Sequence, residues 1–278
     1  MDTALVVAYI SGAVALGSAG LSAWTRLQVV KLQARSKEEE RRSEAKVVLD
    51  RYRGPLLDAA WQLGDRVDNI RNRSFLGYLS PASGRALEAR QSTLFRFACY
   101  LGWREYLRTQ VQLLRFDSEG DTRLSAAFLN DITRALASDQ LDGQWAMLWA
   151  DEQRGIGELM TEQPPGVSVI VCGHAAFFRN YDQTYADWMD RFADDLFTPA
   201  KVKDSDRLRL LQWALYGLVR QLDEQGAYDG DWIEHSADEI SQTPPQESAT
   251  THEEDLRKHL AALKPWTSSL SAKFCGRS

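Results

Sequence analysis

Cys172, Gly173 and His174 place a thiol and an imidazole two residues apart, the one point where a nucleophile and a base lie close in sequence. An imidazole beside a thiol favours the thiolate, which is the reactive form. On a strand, residues two apart share a face but sit about 6.5 Å apart at Cα, and on a helix they diverge. No glycine-rich oxyanion turn accompanies them, so a buried cysteine in an apolar connector is the preferred reading. The second candidate is Asp151-Glu152-Gln153-Arg154-Gly155-Ile156-Gly157-Glu158. Two glycines stand inside a helical pattern there, each costing up to about 1 kcal/mol relative to alanine. Either another helix crosses closely, or Glu152, Gln153, Arg154 and Glu158 line a polar ligand pocket. Arg154 and Glu158 are also spaced for an i, i+4 ion pair.

Further polar groups flank apolar stripes. Arg66 and Asn69, with Trp103 and Arg104 on a later helical run, suit buried hydrogen-bond networks that fix helix register, or a cleft between helices. Asp187, Asp190 and Asp194 have helical spacing, with Asp195 beside them, but no histidine accompanies them and a solvated face is the simpler account. Cys99, Cys172 and Cys275 form no CxxC pair, and His174, His235, His252 and His259 form no HExxH or other close pair. No metal site and no cofactor are therefore proposed, and the cysteines suit a reducing compartment.

These residues need elements to hold them. The 278 residues are 44% hydrophobic and 26% charged, ordinary for a folded chain able to bury a core and unlike a disordered or low-complexity one. A net charge of -6 supplies no positive field for a nucleic-acid backbone, so no nucleic-acid partner is expected. Apolar residues spaced three and four apart predict helices over 55–79, 85–116, 122–137, 143–161, 185–196 and 207–222. Gly54 with Pro55 marks a break or kink, and SPASG (80–84) and DSEGD (117–121) mark turns. Short connections between amphipathic helices favour an antiparallel bundle. Val167, Val169, Ile170 and Val171 are β-branched, but no second β-rich run exists to pair with them, so the domain at 54–225 is read as all-α with at most one short strand. Residues 226–278 read as a linker, a small helix at 253–263 and a tail that frays.

The start of the chain has a different character. Ala4 to Trp24 runs 21 residues without a charge, enough helix to cross the roughly 30 Å core of a bilayer. A cleavable signal peptide and a buried core helix compete with this transmembrane reading; the small residues at 19–23 imitate a cleavage site, but no basic segment precedes the apolar run. Residues 25–53 carry nine basic and five acidic side chains, so the charge rule puts residues 1–3 outside and the bulk of the chain in the cytoplasm, with the lipid bilayer as partner. Ala13, Gly17 and Gly20 form a small-residue face suited to self-association in lipid, although Gly12, Ala15, Ala19 and Ala23 form a second such set. RSKEEERRSE (35–44) is polar all round and reads as a solvated helical stalk within the basic juxtamembrane segment 25–53.

RYRGPLLDAAWQLGDRVDNI (51–70), FLGYL (75–79), STLFRFACYLGWREYLR (92–108) and DEQRGIGELM (151–160), in that order, resemble an uncharacterised family of bacterial single-pass membrane proteins over residues 1 to about 225. The resemblance implies an N-terminal anchor and a helical cytosolic domain, and carries no catalytic residue. The expectation is a membrane-anchored interaction, scaffold or sensor module that forms a homo-oligomer through its transmembrane helix. The alternative is a membrane-associated effector or hydrolase, for example in stress response or phage defence, which needs a motif the sequence does not display.

Overall fold

The computed structural model describes residues 28, 31–33, 36–37, 53–111, 120–162, 169–223, 225–243 and 250–263. The chain divides into two compact units, Met1–Val48 and Leu49–Ser278. In the first, residues 28, 31–33 and 36–37 are helical and exposed. The apolar run from Ala4 to Trp24, with Ala13, Gly17 and Gly20, lies outside the described residues. Among those described, no helix is long and apolar enough to cross a membrane.

The second unit is mostly helical. Its first described helix, α1, covers 53–72 without interruption and carries Gly54 and Pro55 in its first described turn. Proline is tolerated where its missing N–H has no helical acceptor to lose, as in a first turn. The apolar continuation expected to 79 is instead a separate 3-10 turn, Phe75–Leu79, entered through Ser74 at φ 58. After a second such turn, Pro81–Ser83, follow α2 (Ala86–Val111), α3 (Gly120–Ala137) and α4 (Ala150–Met160). Then come β1 (Thr161–Glu162), β2 (Ile170–Val171), α5 (His174–Asn180), a π turn at Tyr181–Tyr185 and α6 (Ala186–Leu196). Finally α7 (Pro199–Val202), α8 (Asp206–Leu222), α9 (Asp231–Gln242) and α10 (Thr251–Ala261) close the unit.

The structure departs from the sequence pattern at four further places. Two short strands are present rather than at most one: Thr161 pairs with Val171 and Glu162 with Ile170, because the end of α4 supplies the partner that composition did not reveal. The helix expected from Gly143 begins only at Ala150, since Asp142, Gly143 and Ala146 have φ of 55°, 60° and 47°, which an α-helix cannot contain. The helical run expected from Tyr185 begins at His174 and passes through the π turn. Residues 231–242 are not linker but helix α9, and the core continues past 225: Trp232, Ile233 and Leu256 are all buried.

Two helix pairs carry the core, α2 against α4 and α3 against α8, with α10 lying on α3 and α8. Helix α1 joins them. Its Gly64 lies under the Trp232 ring, where a Cβ would come within 2.4 Å, and its Arg53 Nε donates to the Leu222 carbonyl at 2.6 Å. Helix α8 starts where Ser205 Oγ accepts from Leu208 N at 3.1 Å, satisfying one of the donors that a helix start leaves open.

Candidate interaction surface

Helix α4 sorts its residues by burial: Gln153, Ile156, Gly157 and Met160 face inward, while Asp151, Arg154, Glu158 and Leu159 are exposed. The inner side crosses α2 closely. A Cβ on Gly157 would lie 2.7 Å from the Leu101 carbonyl oxygen and from Glu105 Cβ, and one on Gly102 of α2 would lie 2.9 Å from Met160 Cβ. The close crossing expected from the paired glycines is therefore present at Gly157. Gly155 serves a different contact, being covered by the ring of Trp188 from α6 at 2.4 Å from its would-be Cβ.

The four expected pocket residues are not brought together. The Glu152 carboxylate turns back to accept from Trp149 N at 2.7 Å and so caps the helix start. Gln153 is buried, donates through Nε2 to the carbonyls of Leu148 and Thr133, and accepts from Arg104 Nη1 at 3.2 Å. It is a register lock between α2, α3 and α4, the use expected for Arg104. Arg154 pairs at 3.8 Å with Asp151 rather than with Glu158, and Glu158 projects outward.

Cys172 and His174 do not form a couple. His174 is exposed at the start of α5, its ring 4.2 Å from that of Phe178 and 4.9 Å from that of Phe95. Cys172 instead neighbours Tyr185: burial, then the contact with Cys172, push the phenol's pKa above its ordinary value. A phenol so shifted is no base at neutral pH. Burial also raises the Cys99 thiol to about 11, which keeps it protonated and unreactive.

The acidic cluster is divided among three tasks. Asp190 and Asp194 hold Arg90 at 3.1 and 2.9 Å, Asp195 accepts from Ala146 N at 3.1 Å, and Asp187 is exposed. Tyr181 donates to Asp190 at 2.8 Å, and burial, then that bond to a carboxylate, raise the phenol's pKa. Among the described residues no group of three or more His, Cys, Asp and Glu is placed to hold a metal. Asn69 donates to Asp65 at 3.0 Å within α1, and Trp103 packs beside the core with its ring 6.4 Å from that of Tyr106. Arg66 lies across the Phe75 ring at 3.9 Å.

An open apolar strip remains on the outside of α4. Leu159 (36% exposed) lies one turn beyond Gly155, Trp188 (41%) covers that glycine, and Ile170 (47%) sits on the strand paired with the one that follows α4. Tyr185 Oη donates to the Leu159 carbonyl at 3.2 Å and ties the π turn before α6 to the strip. Arg154, Glu158 and Glu162 provide exposed charges of both signs on α4 and β1. Sequence reading missed the strip because Leu159, Ile170 and Trp188 each fit a core stripe; only the two glycines pointed to this helix. No family model, curated protein or solved structure matches this chain.

Proposed function

We propose that this chain is a membrane-anchored helical module that pairs with a second copy of itself and acts as an interaction, scaffold or sensor protein with its helical domain in the cytoplasm. The observation that carries this reading is the open strip of Leu159, Ile170 and Trp188 beside Arg154 and Glu158. Water-exposed large apolar groups gain free energy when covered, at roughly 25 cal/mol per Å². Arg154 and Glu158 stand one helical turn apart on the same face. A two-fold pairing with antiparallel α4 helices sets Arg154 of each copy beside Glu158 of the other, so the charges complement themselves under that symmetry.

The anchor reading rests on the uncharged run Ala4 to Trp24 and on the basic excess that follows it. Its small face of Ala13, Gly17 and Gly20 allows close backbone approach in lipid. Two weak contacts on one chain reinforce each other, because pairing of anchors raises the local concentration of the attached domains. Membrane fractionation with terminal reporter fusions, joined to crosslinking of the membrane-bound chain, tests the reading. The expected result is an uncleaved membrane protein with a cytoplasmic C-terminus whose crosslinked dimer diminishes when Gly17 and Gly20 are both replaced by Leu. A soluble product beginning after Ala23, or unchanged crosslinking in the double variant, overturns it.

A further inference from the structure

Most arginines of the second unit whose partners are described meet a carboxylate or a set of carbonyls; Arg66 and Arg96 meet neither in full. Arg66, on α1, has one hydrogen bond, from Nη1 to Thr93 Oγ1 at 3.2 Å, and Arg96, on α2, has one, from Nη1 to the Ser92 carbonyl at 3.0 Å. Both are half-buried, and the Nε of each is buried without an acceptor among the described residues. Neither forms an ion pair with a carboxylate of the described residues. Asp65 is near enough to act on both charges but bonds to neither, being engaged by Asn69 Nδ2 at 3.0 Å. Two cations thus share the field of one anion. Burial, then the Arg96 charge, lower the Arg66 pKa to about 10, whereas the carboxylate-paired Arg90 and Arg209 are raised.

The pair is also held in place. Thr93 is fully buried and its hydroxyl donates to the Ala89 carbonyl at 2.8 Å, which aims an oxygen lone pair at Arg66. Phe75, delivered by the 3-10 turn after α1, lies under the Arg66 guanidinium at 3.9 Å and fixes its plane. Ser92 restrains Arg96 through its carbonyl. The Nη2 groups of both arginines have no protein acceptor among the described residues, and Arg66 reaches Thr93 one turn before Arg96, so the two cations are near enough across the α1–α2 seam for one charge to act on the other. Guanidinium forks match the tetrahedral oxygens of a phosphate, and pre-set side chains lose little freedom on binding it.

We propose that Arg66 and Arg96 form a phosphate-binding site, positioned by Thr93 and Phe75, that takes a phosphoryl group either free in solution or on a lipid headgroup. The site lies on helices other than those bearing the α4 strip, and it does not depend on self-association. The anion supplies the counter-charge the pair lacks, and it adds to the Arg66–Thr93 hydrogen bond a second polar link between α1 and α2.

Titration calorimetry of the full chain in uncharged detergent tests the proposal. The probes are inorganic phosphate and a short-chain phosphatidate below its micelle concentration, with the corresponding diacylglycerol as uncharged control and chloride at matched ionic strength. At least one phosphate probe should bind saturably at one site per chain, and the uncharged control should not. Arg96→Gln and Arg66→Gln should each weaken binding by at least about tenfold. Phosphatidate tighter than inorganic phosphate by tenfold or more assigns the site to a headgroup, and comparable affinities assign it to free phosphate. A second measurement needs no variant and so survives a misfolded one. In the wild-type chain, phosphate should protect Arg66 and Arg96 from an arginine-selective dicarbonyl reagent while leaving the exposed Arg85 and Arg179 open to modification. Absence of saturable binding by both phosphate probes, affinities within twofold of wild type in folded variants, or protection no greater at Arg66 and Arg96 than at Arg85 and Arg179 overturns the proposal.

Discussion

The α2–α4 crossing and the seams around α3 reach close packing by opposite means. At the first, side chains are removed: Gly102 and Gly157 let two backbones approach until a methyl group would not fit. At the second, charge is buried. Arg207 at the start of α8 is fully buried, and its guanidinium donates to the carbonyls of Ala135, Leu136, Ser138, Leu141, Gly143 and Trp145. Those carbonyls are the open C-terminal end of α3 and the irregular chain that follows it. A helix C-terminus carries partial negative charge, so these dipoles take the place of a carboxylate. Burial lowers the Arg207 pKa, while Asp142, Asp139 and Asp195 oppose that shift. The comparison teaches that a loop with left-handed residues can be as firmly fixed as a helix crossing, provided one side chain collects its carbonyls.

Arg207→Met is the strongest way to break this contrast. It leaves several buried carbonyls without a donor and should cost about 4 kcal/mol in chemical denaturation, with Arg207→Lys recovering only part because an ammonium cannot reach so many acceptors. A loss below about 1 kcal/mol would show that the loop holds itself.

The other side of α3 offers a pH test. Asp131, buried on α3, meets His259 Nδ1 of α10 at 2.6 Å, Arg134 of α3 meets Asp255, and His252 of α10 is buried near Arg134, Asp255, Glu253 and the Asp131 backbone. Burial, then the Arg134 charge, lower the His252 pKa to about 4. With the folded value below the unfolded value of about 6.5, the unfolded chain binds the extra proton between those limits. Stability therefore falls as pH drops from 6.5 towards 4, by roughly 3 kcal/mol at the lower end. Denaturation midpoints measured from pH 7 to 5 should show this slope in wild type and a flatter one in His252→Gln. Equal slopes in the two proteins would remove His252 from the account.

At the glycine crossing the effects are smaller and differ between neighbours. Gly157→Ala drives a methyl into the Leu101 carbonyl and should lose about 2 kcal/mol despite the better helix propensity of alanine. Gly155→Ala meets only the rim of Trp188, which is 41% exposed and free to shift, so its thermal midpoint should change by less than the equivalent of about 1 kcal/mol. Similar losses at both sites would mean that Trp188 is held as firmly as the α2 backbone.

The legible part of the fold was the part encoded by period and by missing side chains. Helices α2 and α8 follow from apolar spacing, and Gly155 with Gly157 announced a close contact. Arg207 was illegible because a charged residue in a first turn looks like a solvated one, and its role depends on carbonyls up to 72 residues earlier in the chain. Trp145 and Leu148 kept helical spacing, so the loop at 138–149 imitated a helix until the left-handed residues were seen. Helix α9 carries few apolar residues, Trp232 and Ile233 among them, yet these suffice because Gly64 opens a slot for the indole. The candidate surface was half legible: its helix was singled out, but the polar residues proposed as its site turned out to cap, lock or flank it.

Sedimentation equilibrium of the full chain in density-matched detergent tests the central claim, that the outer face of α4 is a self-association surface. Wild type should form a dimer, and Leu159→Glu with Ile170→Glu, both at exposed positions, should raise the dimer dissociation constant at least about tenfold without altering the helical spectrum. A monomeric wild type, or a folded double variant with the wild-type dissociation constant, would contradict it.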